Sequence, residues 1–280
     1  MLIKKIITHP GKAHFDEFFA ICILFVLADR CIEIERKDPT EEELNDPNII
    51  VVDVGMKLQP ELNNYDHHQE KELECAYVQV AKYFGVEDLL SKIRWFYLKS
   101  IYDTKGPYEV SKYVMSQLDT HYLNGPLESF MIDRFAKFPN DPAIQDIMRS
   151  FGRRAFGQAL DFDERFKFYD SCKIEIFNRY KNVIFIPDDS IFGLDEWEIN
   201  KQKNDKTFDG LDAAVYHDDR GEGWTLLRLN NSGIIDFTKI ADEDKNKMKF
   251  IHHNGFLAKT HDRVSTDIEF IKKILSQNLA

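Results

Sequence analysis

Apolar and polar positions fall into blocks whose period changes along the chain. Leu2 to Thr8 is a short apolar, β-branched run that predicts a strand ending at His9-Pro10-Gly11. From Asp16 the spacing becomes helical, with Asp16-Glu17 suiting the positive end of a helix dipole. The apolar run Phe18–Ala28 stops at Asp29-Arg30, as a buried helix would. Glu33 to Glu35 predicts part of a second strand, and Asn48–Val54, rich in Ile and Val, a buried parallel strand. A loop is due at Asp53-Val54-Gly55, and helical spacing returns over Tyr77–Phe84 and Leu89–Tyr102. This βαβ order predicts an α/β fold, a mostly parallel sheet with helices on both faces.

Beyond it, Pro126 to Tyr180 reads as helix with one break at Pro139-Asn140-Asp141-Pro142. Strands are expected over Asn182–Ile186, Ala213–Tyr216, Trp224–Leu229 and Lys249–His252, with a last helix from about Arg263 to Gln277. Asn200–Asp212 is polar and charged and predicts a loop. The expected division is therefore 1–125 for the α/β domain, 126–180 for a helical connection and 181–280 for a smaller C-terminal α+β domain.

Composition narrows the class. With 43% apolar and 30% charged residues in 280, the chain is that of a folded, water-soluble protein. No window holds the ~18 consecutive apolar residues of a membrane span. The first residues lack the features of a signal or transit peptide, so a cytoplasmic protein without membrane partners is expected. Cys22, Cys31, Cys75 and Cys172 form no C-x-x-C pair, and most of them read as buried thiols. A net charge of −11 argues against long-range capture of duplex nucleic acid, although bound cations can reverse the potential locally for a short substrate.

Candidate chemistry gathers where an open α/β sheet builds its site, beyond the carboxyl ends of strands. His9, His14 and Asp16 follow the first strand; Asp53 ends the Asn48–Val54 strand; Asp66-His67-His68 lies a short loop further on. Asp103 follows a predicted helix, just before the Gly106-Pro107 turn signal. Taken singly these are ordinary: Asp53 suits a turn, His9 a loop and Asp16 a helix cap. In this order they make a set of imidazoles and carboxylates without sulfur, suited to Mn²⁺, Co²⁺, Fe²⁺ or Zn²⁺. The donors exceed one ion's needs and suffice for two that share carboxylates about 3.5–4 Å apart.

At these residues the chain resembles the DHH phosphoesterase superfamily, and within it the MYG family of exonuclease-like proteins. Thr8-His9-Pro10-Gly11-Lys12-Ala13-His14-Phe15-Asp16-Glu17 is similar to that family's Thr-His-x-Gly-x-x-His-x-Asp-Glu. Val52-Asp53-Val54-Gly55 resembles its second motif, and Tyr65-Asp66-His67-His68-Gln69 its third. Phe250-Ile251-His252-His253-Asn254-Gly255-Phe256 resembles its C-terminal Phe-x-His-x-x-Gly-Phe. The resemblance implies a DHH-type catalytic domain and a C-terminal substrate-binding domain that closes over the cleft. It implies one metal on His9, His14, Asp53 and Asp103, and another on Asp16, Asp53, His67 and Asp103. Asp66 would orient a ligand histidine and His68 would face the phosphate. His252, His253, Gly255 and Lys259 would contact substrate. Two departures stand out: His14-x-Asp16 replaces the superfamily's Asp-x-Asp, and Gly255-Phe256-Leu257-Ala258-Lys259 lacks the usual glycine pair.

The expected reaction is hydrolysis of phosphodiester bonds in short single-stranded RNA or DNA, or in a dinucleotide, in the manner of a 3′–5′ exonuclease. It would need two divalent ions, Mn²⁺ first with Mg²⁺ among the others, and Asp53, Asp66 and His68 as catalytic groups. A pyrophosphatase or small-nucleotide phosphohydrolase is the alternative within this chemistry, and a metal-stabilised binding protein the alternative outside it. Oligomeric state, a homodimer among the options, is left open. Of the remaining features, Arg153-Arg154 favours a surface ion-pair role, Phe15, Phe18, Phe19 and Phe25 favour core, and Trp197 is a candidate for the cleft.

Overall fold

The protein is seen in a computed structural model that describes residues 3–112, 125–177, 180–230 and 235–277. Residues 113–124, the tail of the expected first domain, lie outside that set. The chain divides into two compact units, Met1–Asp161 and Phe162–Ala280, and the division falls within the stretch expected as a helical connection. No helix among the described residues is long and apolar enough to cross a membrane.

In the first unit, β1 (Lys5–Thr8), β2 (Glu33–Arg36), β3 (Ile49–Val52), β4 (Leu58–Gln59) and β5 (Asn64–Tyr65) form one sheet in the order β2-β1-β3-β5-β4. Every neighbouring pair is parallel except β4 with β5. From β1 the chain passes to β2 on one side and returns to β3 on the other, which puts a topological switch point between β1 and β3. The register pairs Thr8 with Val52 and Val52 with Tyr65, so three strands end at one level. The residues that follow them, His9, Asp53 and Asp66, leave the sheet side by side.

Helices cover this sheet. Leu44, in α2 (Glu41–Leu44), packs with Ile7, Ile49 and Val51. Ile6, Ile50 and Val52 alternate to the opposite face and are buried as well. α1 (Phe15–Leu27), α3 (Ala76–Tyr83), α4 (Glu87–Leu90), α5 (Trp95–Lys105), α6 (Pro107–Val110), α7 (Pro126–Lys137) and α8 (Pro142–Ser171) complete the described helices here, α8 running on into the second unit. Phe19 of α1 is the hub of an edge-to-face cluster, with ring centroids 5.3 Å from Tyr77, 5.0 Å from Trp95 and 5.8 Å from Phe151. Gly152 lets α8 approach α1, since a Cβ there would lie 2.7 Å from the Cys22 carbonyl oxygen. This packing fixes the start of α1, which carries His14, Asp16 and Glu17.

The second unit contains β6 (Lys173–Phe177), β7 (Tyr180–Ile186), β8 (Ala213–His217), β9 (Trp224–Arg228), β10 (Met248–Ile251) and β11 (Leu257–Thr260). They form a sheet in the order β10-β11-β9-β8-β7-β6, antiparallel except for β7 with β8. α11 (Ile268–Leu275) packs Phe270, Ile271, Ile274 and Leu275 into one core cluster, and α9 (Leu194–Asn204) packs Leu194 and Trp197 into another. A short α10 (Asp242–Lys245) precedes β10.

Several expectations are corrected. The helix expected to continue to Tyr180 ends at Ser171, and Lys173–Phe177, which alternates polar and apolar residues, is a strand. The helix expected over Leu89–Tyr102 is two, and α5 runs to Lys105, so Asp103 lies inside it; the stop is Gly106, at φ 82°. The loop expected from Asn200 begins after Asn204. The last helix begins at Ile268 because the Asp267 side chain caps it by accepting from Phe270 N at 2.9 Å. Trp197 is not in a cleft: it is 2% exposed and its Nε1 donates to Asp170 at 2.9 Å.

Candidate metal centre

Each donor is delivered by a different piece of local structure. His9 follows β1, and its Nδ1 donates to the Pro10 carbonyl at 2.9 Å, so the neutral ring carries its lone pair on Nε2. Asp53 follows β3 in the left-handed region, φ 58°, and its backbone N donates to Tyr65 O at 2.8 Å. Aspartate tolerates that conformation better than most residues. Gly55, at φ 97°, completes the bend, and a Cβ there would come 2.9 Å from Leu44 Cδ2. Asp53, Gly55 and Met56 (φ 56°) all lie in the left-handed region, so the chain bends sharply just beyond β3.

Asp16 belongs to α1 but caps α3. Its two carboxylate oxygens accept from Ala76 N and Tyr77 N, both at 2.8 Å, at the positive end of that helix. Glu17, wholly buried, accepts from His14 N at 2.9 and 3.0 Å and lies 3.4 Å from Arg36 Nη1. Asp66 collects four contacts, from the backbone N of Met56, His67 and His68 at 2.6, 2.7 and 3.1 Å and from His68 Nδ1 at 2.7 Å. It therefore orients His68 rather than His67.

The donors converge on Asp53 and His67. His67 Nε2 lies 3.3 Å from Asp53 Oδ1, 3.3 Å from Asp103 Oδ2 and 3.5 Å from Asp16 Oδ2. His9 Nε2 lies 3.1 Å from Glu17 Oε1 and 3.6 Å from Asp53 Oδ2. Three groups have donor atoms within 4.8 Å of one another: His9, His14, Glu17 and Asp53; Asp53, His67 and His68; and Asp16, His67 and Asp103. The first thus holds Glu17 where the resemblance implied Asp103, which gathers with Asp16 and His67 instead.

Electrostatics shows what this arrangement lacks. Burial, reinforced by Glu17 and Asp103, pushes Asp53 up to about 8. Burial also raises Asp16 and Asp103. His9 is raised to about 9, chiefly by Glu17. Asp16, Asp53 and Asp103 resist ionising together here without added positive charge. Among the described residues, His9 Nε2 and Asp53 Oδ1 are buried with no hydrogen-bond partner. A buried imidazole nitrogen crowded against carboxylates, which takes up a proton to hold them, stands where a shared cation fits, and an N/O donor set without sulfur fits a Mn²⁺-class ion.

Glu17 is the group that sequence reasoning missed. Its place beside Asp16 was read as dipole complement, and only the contact with His9 shows more. In the second unit, Lys259 is engaged by Asp218 and, at 3.1 Å, by Asp219. Gly255 is buried at φ 67°, and a Cβ there would lie 1.8 Å from Asp236 Oδ1, so the backbone itself requires glycine. His252 and the exposed His253 stack at 4.4 Å.

Comparison with known proteins places the resemblance in the first unit. Residues 5–80 match the sequence model of the family described as MYG1_exonuc, uncharacterised protein family (UPF0160). A 71-residue stretch is 45% identical to the MYG1 exonuclease of Rattus norvegicus, covering 25% of this chain and 18% of that protein. The MYG resemblance is thus borne out over the N-terminal motifs. Among solved structures, a pGpG-specific phosphodiesterase, PggH, from Vibrio cholerae superposes with TM-score 0.31 and 9% identity over 98% of both chains. RecJ from Thermus thermophilus in complex with Mn²⁺ gives 0.32 and 12%, over 98% of this chain and 52% of that one. Superpositions this loose do not establish a shared fold.

Proposed function

We propose that the first unit is the catalytic body of a divalent-metal-dependent phosphodiesterase acting on short single-stranded nucleic acid or a dinucleotide. The premise is the MYG-type sequence over residues 5–80. The observation that carries the reading is Asp53, one buried carboxylate at the end of a central strand that belongs to two donor groups at once. The matched rat protein is named an exonuclease, which supports a nucleic-acid diester over a smaller phosphate ester.

In this reading His9, His14, Glu17 and Asp53 would hold one ion, and Asp16, Asp53, His67 and Asp103 the other. Two such ions, when bound, favour ionisation of water and offset charge on the phosphoryl oxygens. The chain's own residues do the rest. Asp16 is locked by two backbone N–H groups, so its carboxylate does not drift when substrate enters. Asp66 holds the Nδ1–H of His68, which leaves Nε2 to face the substrate phosphate. His252 and His253 are the groups we assign to phosphate contact in the second unit, since Lys259 is paired and Gly255 is buried.

The test is Mn²⁺-dependent hydrolysis of a short 5′-labelled RNA, with wild type beside a His67→Ala/His68→Ala double variant. Stepwise shortening that needs metal and disappears in the variant is the expected result. An oligomer left intact by the wild type, with pyrophosphate cleaved instead, overturns it.

A further inference from the structure

Beside the donor cluster lies a cavity of about 510 Å³, within the size range of small-ligand sites. His14, Asp16 and Asp103 are part of its lining. The rest of the lining includes Phe15, Lys99 and Glu128. Lys99 precedes Asp103 by four residues in α5, so the two stand on one face of that helix. Its side chain is 6% exposed, its Nζ donates to both Glu128 oxygens at 2.7 and 2.8 Å, and it sits 4.0 Å above the Phe15 ring.

A buried lysine held by a half-buried glutamate adds little to stability, because desolvation offsets much of their attraction. An apolar pair would fill the same space at lower cost. Burial lowers Lys99 and raises Glu128, which is the signature of that desolvation. What the pair offers, and an apolar pair does not, is an N–H donor and carboxylate acceptors side by side on a cavity wall. A nucleobase edge carries the complementary acceptor and donor at similar spacing.

Resting on the phosphodiesterase reading, we infer that this cavity is the subsite for a nucleobase whose phosphate lies at the donor cluster, with Lys99 and Glu128 as the residues that read its hydrogen-bonding edge. Lys99 and Glu128 are specificity residues and touch no reacting atom.

The experiment measures equilibrium binding of nucleoside 5′-monophosphates and of ribose 5-phosphate, with Mn²⁺ present, to the whole chain. Wild type is compared with Lys99→Met and with Lys99→Met/Glu128→Leu, the second keeping the volume filled should the single variant unfold. The expected wild-type preference for at least one nucleoside monophosphate over ribose 5-phosphate is about tenfold or more, and it falls to near unity in both variants. Wild type that binds both ligands alike, or a preference that survives in a folded variant, overturns the inference. Hydrolysis of bis(p-nitrophenyl) phosphate by the wild type, run in parallel, reports on the phosphodiesterase reading by itself. Turnover with no base preference sinks the subsite alone; base preference with no turnover on any diester sinks the catalytic reading alone.

Discussion

Asp66 Oδ1 lies 2.7 Å from His68 Nδ1, and the same carboxylate accepts from three backbone N–H groups. One buried side chain thus sets both the path of the loop after β5 and the tautomer of the imidazole it carries.

Replacing Asp66 separates those roles. Asp66→Asn keeps the shape but weakens the acceptor, and kcat is expected to fall about 10- to 100-fold with metal content retained. Asp66→Ala leaves three loop N–H groups unpaired and costs about 1–3 kcal/mol in urea unfolding. Burial acts to raise the Asp66 pKa, but the hydrogen bonds from His68 and the loop outweigh it and the net shift is downward. Its stabilisation is therefore complete above the ordinary aspartate range and lost as pH falls through the lowered value. Wild type loses more of its Tm advantage over Asp66→Asn below about pH 4 than above it.

The metal-free protein has the opposite dependence at the donor cluster. Asp53, raised to about 8, stabilises the fold while protonated and loses that contribution as pH rises from the ordinary aspartate value towards 8. His9, raised to about 9, stabilises below the ordinary histidine value and loses its contribution as pH rises through 9. With Mn²⁺ removed by chelation, Tm should fall between pH 6 and 9, and the Tm gain on adding Mn²⁺ should grow over the same range. A gain independent of pH contradicts this.

Glu17→Gln should weaken one of two Mn²⁺ binding events by about tenfold or more, or abolish it, while the protein stays folded. Asp103→Asn should act on the other event. Isothermal titration of each variant distinguishes them, and identical effects would argue against two separate donor groups.

Gly55→Ala places a Cβ at φ 97° and 2.9 Å from Leu44 Cδ2. A loss of about 1–3 kcal/mol in urea unfolding is expected, with weaker Mn²⁺ binding because Asp53 shares the bend.

The parts of this site that sequence revealed are those that end strands. His9 and Asp53 each follow or end a short run whose apolar residues announce it, whereas Asp66-His67-His68 stands out as a triplet and the two-residue strand before it, Asn64–Tyr65, does not; the register then sets all three in a row. Asp103 was placed one element wrongly because Gly106-Pro107 was read as an earlier stop than the helix makes of it. Glu17 was read through the helix dipole, a local effect, whereas its contacts with His9 and Arg36 are tertiary. Lys99 and Glu128 stand 29 positions apart, and no local pattern links a lone lysine to a lone glutamate. In the second unit, β11 escaped notice because Leu257-Ala258-Lys259-Thr260 carries no Val, Ile or aromatic residue to mark a strand.

The account turns on Asp53 as the shared ligand of two ions. The most direct measurement is Mn²⁺ stoichiometry by isothermal titration for wild type and Asp53→Asn, with diester hydrolysis followed on the same samples. Two Mn²⁺ per wild-type chain, at most one in the variant and a loss of turnover of about 100-fold or more are predicted. An Asp53→Asn protein that binds as many ions as wild type and turns over at the same rate would contradict it.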